Sequence, residues 1–181
     1  VDGARIPRLA DLFALVGKSG HTEMRLAIET KVTPTAPEET VAPDVFARAL
    51  VAAIRDAGMA SRSTILSFDW RTLAVVQSQA PEIATVYLSA QQQWLDNIAA
   101  DRPEGSAWTA GIQYKEHGSV PKMVRAAGGR IWSSFFGDLD AASSAAEMLS
   151  RPMPNAPILP VTRPPASSGI TRPALRPIRR L

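Results

Sequence analysis

The chain switches repeatedly between two hydrophobic periods. From Arg8 to Val16, apolar residues recur every three or four positions (Leu9, Leu12, Phe13, Val16), which predicts a short amphipathic helix. Gly17-Lys18-Ser19-Gly20 is its stop signal. Met24 to Lys31 then alternates, with Leu26 and Ile28 on one side and Ala27, Glu29 and Lys31 on the other, as a strand does. Pro34, Pro37, Glu38 and Glu39 make 32–42 a loop. Pro43 opens the best-marked helix, with Phe46, Leu50, Ile54 and Ala57 at helical spacing and Gly58 behind them.

The same alternation of elements continues downstream. Ser63 to Phe68 predicts a second strand. Asp69 is placed to cap a helix whose inner face is Trp70, Leu73, Val76 and Ala80. Pro81 closes that helix, and Ile83 to Leu88 predicts a third strand. Gln91 to Ala99 reads as helical, and Val120 to Ala127 as a helix stopped by Gly128-Gly129. Arg130 to Phe136 predicts a fourth strand, and Asp138 to Ser150 an alanine-rich helix. About four strand–helix units in alternation imply an α/β fold with parallel strands. A closed (β/α)8 TIM-type barrel needs twice that number, in about 250 residues, so the expected architecture is an incomplete barrel.

Charge divides the chain in two. The formal net charge is +3, but residues 151–181 hold six of the twenty basic groups, all arginine, and no acid. Residues 1–150 carry the other fourteen against all seventeen acids, so that part is mildly acidic. The last 31 residues also hold eight of the fifteen prolines and no aromatic residue. The expected division is a partial barrel domain over 1–150 and an irregular Pro/Arg-rich tail over 151–181. The absence of cysteine excludes disulfides, thiolate metal sites and cysteine nucleophiles. No apolar run approaches the roughly 20 residues of a membrane span, and no apolar core follows Val1-Asp2-Gly3-Ala4-Arg5 as in a signal peptide. The sequence leaves the compartment open.

Parallel α/β folds place their sites at the carboxyl ends of the strands. Glu29 and Lys31 stand at that end of the first strand, two apart and therefore on one face. A carboxylate beside an ammonium there suits a hard cation and an anionic group; the competing reading is a structural ion pair. Phe68 and Trp132 are candidates for pocket lining, Trp132 equally for packing between sheet and helices. Asp69 reads first as a helix cap, and His21 and His117 as surface histidines in loops. No Walker loop, dinucleotide fingerprint, zinc spacing or nucleophile elbow occurs.

These segments resemble one family. Ala4-Arg5-Ile6-Pro7-Arg8-Leu9-Ala10-Asp11, Leu26-Ala27-Ile28-Glu29-Thr30-Lys31, Ser67-Phe68-Asp69-Trp70-Arg71-Thr72-Leu73 and Ala80-Pro81-Glu82-Ile83 are similar, in order and spacing, to motifs of the glycerophosphodiester phosphodiesterases. Gly129-Arg130-Ile131-Trp132-Ser133 resembles that family's sixth barrel strand, so the likeness runs from residue 1 to about 140. It implies a (β/α) barrel that hydrolyses glycerophosphodiesters to glycerol 3-phosphate and an alcohol with a divalent cation, Mg²⁺ or Ca²⁺. It further implies that Glu29 binds the metal and that Lys31 lies near the substrate phosphate.

The family's His-Arg-Gly and Glu-x-Asp motifs and its second histidine belong upstream of Val1, so neither the two acid–base histidines nor two further metal ligands are present. The chain is therefore expected to be a fragment with weak or absent metal binding and little turnover of its own. After about Asp140 the family's Trp-Thr-Val-Asn-like segment is replaced by the Pro/Arg-rich tail, which points to a changed reading frame. The alternative function is a non-catalytic barrel remnant whose basic tail binds anionic surfaces. Nucleic acid is disfavoured as a partner, because no aromatic residue interleaves the arginines. Open sheet edges favour self-association.

Overall fold

The structure is a computed structural model and describes Gly3 and residues 5–135 of the chain. Helix α1 (Leu9–Lys18) buries Phe13 and Val16 and leaves Leu12 and Leu15 exposed. It runs two residues beyond the predicted end, through Gly17; the chain turns instead at Gly20, where φ is +72°. Strand β1 (Leu26–Glu29) is the central part of the alternating segment. The following loop holds one 3-10 turn, Pro37–Glu39, and Pro43 begins α2 (Pro43–Asp56), whose inner face is Ala47, Leu50, Val51 and Ile54. Then come β2 (Ser63–Ser67), α3 (Trp70–Gln79), β3 (Ala84–Gln92), β4 (Leu95–Asp96), α4 (Tyr114–His117), α5 (Val120–Ala126) and β5 (Ile131–Phe135).

Strands β1, β2, β3 and β5 lie side by side in chain order, every pair parallel. A doubly wound sheet reverses its strand order at a switch point; sequential order without reversal is how barrel strands are laid down. The described sheet is thus a half-barrel of four parallel strands, and the predicted number of strand–helix units is present.

The register decides which side chains face which layer. Glu29 pairs with Leu66, Leu66 with Val86 and Val86 with Ile131, so these four share the inner face of the sheet. The alternate residues Ile28, Ile65, Tyr87 and Trp132 point the other way and pack with Leu50, Ile54, Leu73, Val76, Val120 and Met123 in the hydrophobic core. Burial there of so many Leu, Ile, Val and aromatic side chains, each worth about 1.5–3 kcal/mol, holds the helical layer to the sheet.

One sequence expectation is overturned. Gln91 to Ala99 is not a helix: β3 continues to Gln92 and turns through a tight hairpin into β4, which pairs Gln92 with Leu95 and Gln91 with Asp96. Side-chain bonds to the backbone make the difference. Asp96 Oδ1 accepts from the amides of Ile98 and Ala99, and Asn97 Oδ1 accepts from the amide of Ala90. Short polar side chains that capture nearby backbone in this way compete with helix formation.

The approach of α5 to β3 needs glycine. At Gly129 an added Cβ would come within 2.6 Å of the Tyr87 ring and of Val124, closer than a side chain tolerates. Tyr87 itself is buried, and its hydroxyl donates to Gln77 Oε1 or the Ala127 carbonyl, 2.9 and 3.1 Å away. Burial pushes its pKa up from 10.0 to about 12. The folded state therefore binds the Tyr87 proton more tightly than the unfolded chain, so this contribution to stability is whole below pH 10 and is lost as pH rises towards 12. Denaturant midpoints measured across that window should fall more steeply for the natural chain than for Tyr87→Phe.

The end of the fourth predicted strand at Phe136, the Asp138–Ser150 helix, the 151–181 tail with its proposed anionic-surface role, and the suspected change of frame after Asp140 all lie outside the described residues. Among the described residues no helix is long and apolar enough to cross a membrane.

Candidate functional site

The carboxyl ends of β1 and β2 and the β3–β4 hairpin surround a cavity of about 480 Å³. Its walls include Glu29, Lys31, Glu39, Phe68, Trp94 and Trp108. Strand alternation, carried two residues past the end of β1, explains the first two: Glu29 and Lys31 both lie on the inner face, and Lys31 Nζ lies 2.6 Å from Glu29 Oε1. Glu29 is largely covered, with 25% of its side chain exposed, against 76% for Lys31. The ammonium is thus held at the solvent side of the carboxylate, where an anion entering the cavity reaches it first.

Thr30, between them, points into the opposite layer. Its hydroxyl is 2.8 Å from that of Thr72 on α3, and its carbonyl accepts from Ser67 Oγ. Ser67 Oγ also accepts from the Asp69 amide. Asp69 caps α3 by accepting from the Arg71 amide and pairs with the Arg71 guanidinium at 2.6 Å. That charge-assisted bond raises the pKa of Arg71 further. The capping role read from the sequence is the one Asp69 has.

A second brace ties the hairpin to the sheet. β2 ends at Ser67, opposite Tyr87, and β3 runs on beyond it. The backbone groups of β3 that would face a longer β2 are met by side chains instead. Leu88 O accepts from Trp70 Nε1 and Asn97 Nδ2, both at 3.0 Å, and the Ala90 amide donates to Asn97 Oδ1 at 2.8 Å. Asn97 Nδ2 also reaches Phe68 O, which fixes the loop that carries Phe68 into the cavity wall.

Three of the four sequence candidates, Glu29, Lys31 and Phe68, meet in this cavity. Trp132 does not line it: its ring is buried in the core on the helix-facing side, and Nε1 donates to Ser89 Oγ at 2.8 Å. Sequence reasoning missed Trp94, Trp108 and Glu39, which reach the mouth from irregular segments, and Asn97, which braces it. His21 lies in the loop before β1, and His117 closes α4; neither lines this cavity.

The described residues do not fit a divalent cation by themselves. A hard cation takes six or more oxygen ligands, whereas no group of three or more metal-binding side chains occurs among the described residues. Among them two carboxylates line the cavity, Glu29 and Glu39, and Glu29 already carries Lys31.

Fold and site together define half of a parallel α/β barrel with an acid–base pair at its strand-end mouth. No family model matches the sequence, and no curated protein matches it. Solved structures do. A protein of Silicibacter pomeroyi DSS-3, provisionally described as a glycerophosphoryl diester phosphodiesterase, is 28% identical with a TM-score of 0.56, over 80% of this chain and 43% of its own. A glycerophosphodiester phosphodiesterase from Parabacteroides distasonis ATCC 8503 is 15% identical with a TM-score of 0.40, over 78% of this chain and 56% of its own. One from Galdieria sulphuraria, again provisionally described, is 16% identical with a TM-score of 0.41, over 82% and 59%. The chain therefore spans less than two thirds of each of these structures, and less than half of the first. The Silicibacter structure supports the relationship to the glycerophosphodiester phosphodiesterases that the motifs suggested.

Proposed function

We propose that the chain is part of a glycerophosphodiester phosphodiesterase barrel, with residues 1–150 as its barrel portion, and that Lys31 binds the substrate phosphate. The whole reaction is hydrolysis of a glycerophosphodiester to glycerol 3-phosphate and an alcohol. The observation that carries this reading is the Glu29–Lys31 pair, 2.6 Å apart at the mouth of a half-barrel related to these enzymes. Lys31 presents a point charge to the phosphoryl oxygens and would offset the charge that builds on them during displacement. Glu29 holds that ammonium over the inner face, and Phe68 gives the phosphate a dry neighbour on one side.

The resemblance also assigns Glu29 to a divalent cation, Mg²⁺ or Ca²⁺. Because no group of three or more metal-binding side chains occurs among the described residues, the chain alone should bind such a cation weakly at most. General acid–base catalysis contributes about 10²–10⁴-fold, and neither His21 nor His117 lines the cavity to supply it. Turnover by the chain alone should accordingly be slight.

Titration with sn-glycerol 3-phosphate tests the site. The 181-residue chain is expected to bind it, and Lys31→Met to weaken binding at least about tenfold, equivalent to some 1.4 kcal/mol. Equal affinity in both proteins would show that the phosphate is not bound at Lys31.

A further inference from the structure

A second cavity, of about 460 Å³, adjoins the first, and Trp94, Leu95 and Trp108 belong to the walls of both. The rest of its wall is of a different kind and includes Gln93, Asp96, Asp101 and Arg102 in place of Glu29, Lys31 and Phe68. We propose that this second cavity receives the alcohol moiety of the phosphodiester, and that it selects a polyhydroxylated ring, a cyclitol or a sugar. The proposal rests on the reading of Lys31 as the phosphate-binding residue.

The chemistry of the wall decides among alcohols. A polyol ring has apolar C–H faces and a rim of hydroxyl groups, each both donor and acceptor. The indole faces of Trp94 and Trp108 suit the ring face. A glutamine amide donates and accepts, a carboxylate only accepts and a guanidinium only donates. Gln93, Asp101 and Arg102 together therefore offer a hydroxyl rim both halves of what it needs. A quaternary ammonium has no donor or acceptor to spend on such groups, so the Gln93 amide and the Arg102 guanidinium would lose water beside it without gaining a partner.

The segments that carry the two tryptophans are also tied to the sheet before any ligand arrives. Ser106 Oγ donates to Asn97 O at 2.7 Å and accepts from the Trp108 amide at 3.2 Å. Asn97 is bound in turn to Ala90 and Leu88 on β3, the strand that leads into the Trp94 hairpin. One buried asparagine thus positions the segments that carry both indoles, which lowers the ordering cost of binding a ring against them. Trp94 has 69% of its surface exposed, so its indole is open to solvent.

Intrinsic tryptophan fluorescence and saturation-transfer NMR on the full chain provide the test, with myo-inositol, methyl glucoside and choline as probes. Binding of myo-inositol or methyl glucoside, with choline at least about tenfold weaker, is the expected result. Arg102→Ala, at a residue that lines the second cavity and not the first, should weaken polyol binding about tenfold or more while sn-glycerol 3-phosphate binding stays as in the natural chain. Trp108→Ala, checked for folding by circular dichroism, provides a second variant for polyol binding alone. Choline binding as tightly as the polyols would overturn the proposal, as would polyol binding unchanged in both variants, or none at all. Glycerol 3-phosphate binding with no polyol binding would overturn this inference and leave the phosphate site standing; polyol binding without glycerol 3-phosphate binding would do the reverse for Lys31.

Discussion

Trp70→Ala is expected to abolish the cooperative fold or leave it barely stable. The indole is fully buried at the first position of α3 and meets Tyr87 edge to face, with ring centroids 5.1 Å apart and planes at 79°. Truncating a buried tryptophan to alanine costs about 3–5 kcal/mol in lost transfer and cavity formation. The aromatic pair adds about 0.5–1.5 kcal/mol beyond area. The variant also removes the Nε1 donor to Leu88 O, at 3.0 Å. Domains of this size are stable by about 5–15 kcal/mol, so the loss consumes a large part of the total. Urea denaturation followed by circular dichroism should show a transition shifted to much lower denaturant or absent. Trp70→Phe, which keeps the ring but not the donor, should lie between; if Trp70→Ala unfolded within a few tenths of a kcal/mol of the natural chain, the packing described around α3 would be wrong.

Asn97→Ala should produce the second-largest loss, for a different reason. The side chain is completely buried and makes three hydrogen bonds, two of them to carbonyls and one from the Ala90 amide. Leu88 O retains Trp70 as a donor after truncation, but the Ala90 amide loses its acceptor. An unsatisfied buried donor costs about 1–3 kcal/mol. The Ala90 amide should become the site of accelerated hydrogen exchange in the variant. Exchange at Ala90 unchanged from the natural chain would show that the asparagine is not what closes the end of β3. Because the same side chain reaches Phe68 O and Asn97 O accepts from Ser106, ligand binding at the mouth should weaken along with stability.

These two residues mark the boundary of what the sequence disclosed. Leu50, Ile54, Leu73 and Val76 announce themselves by helical period, and Leu26 and Ile28 by alternation; in the structure they fill the core or pack against it. Glu29 and Lys31 fall on one face by the same alternation, so their meeting was legible from spacing alone. The β3–β4 hairpin was not, because it has no period: Asn97 binds backbone groups nine and 29 residues away, and local propensity carries no trace of those partners. Glutamines 91–93 and Ala99 are helix formers, while the tertiary bonds of Asn97 decided for a strand and a turn. Trp94 and Trp108 escaped notice for the same reason, since what places them at the mouth is the path of the loop.

Thr30 has a consequence that reaches past this chain's own chemistry. Between Glu29 and Lys31 it alone turns towards α3, where its hydroxyl meets Thr72 and its carbonyl takes the Ser67 hydroxyl. Odd positions at the strand end therefore carry reactivity, and the even position carries the joinery. The two are encoded in adjacent codons but answer to separate constraints. A library that randomises 29 and 31 while keeping Thr30, Ser67 and Thr72 would vary what the mouth does without loosening the frame, whereas one that varies Thr30 would damage the frame whatever stands beside it. The strand end is, in effect, an exchangeable fitting on a fixed hinge plate, which is how one scaffold can be passed from reaction to reaction.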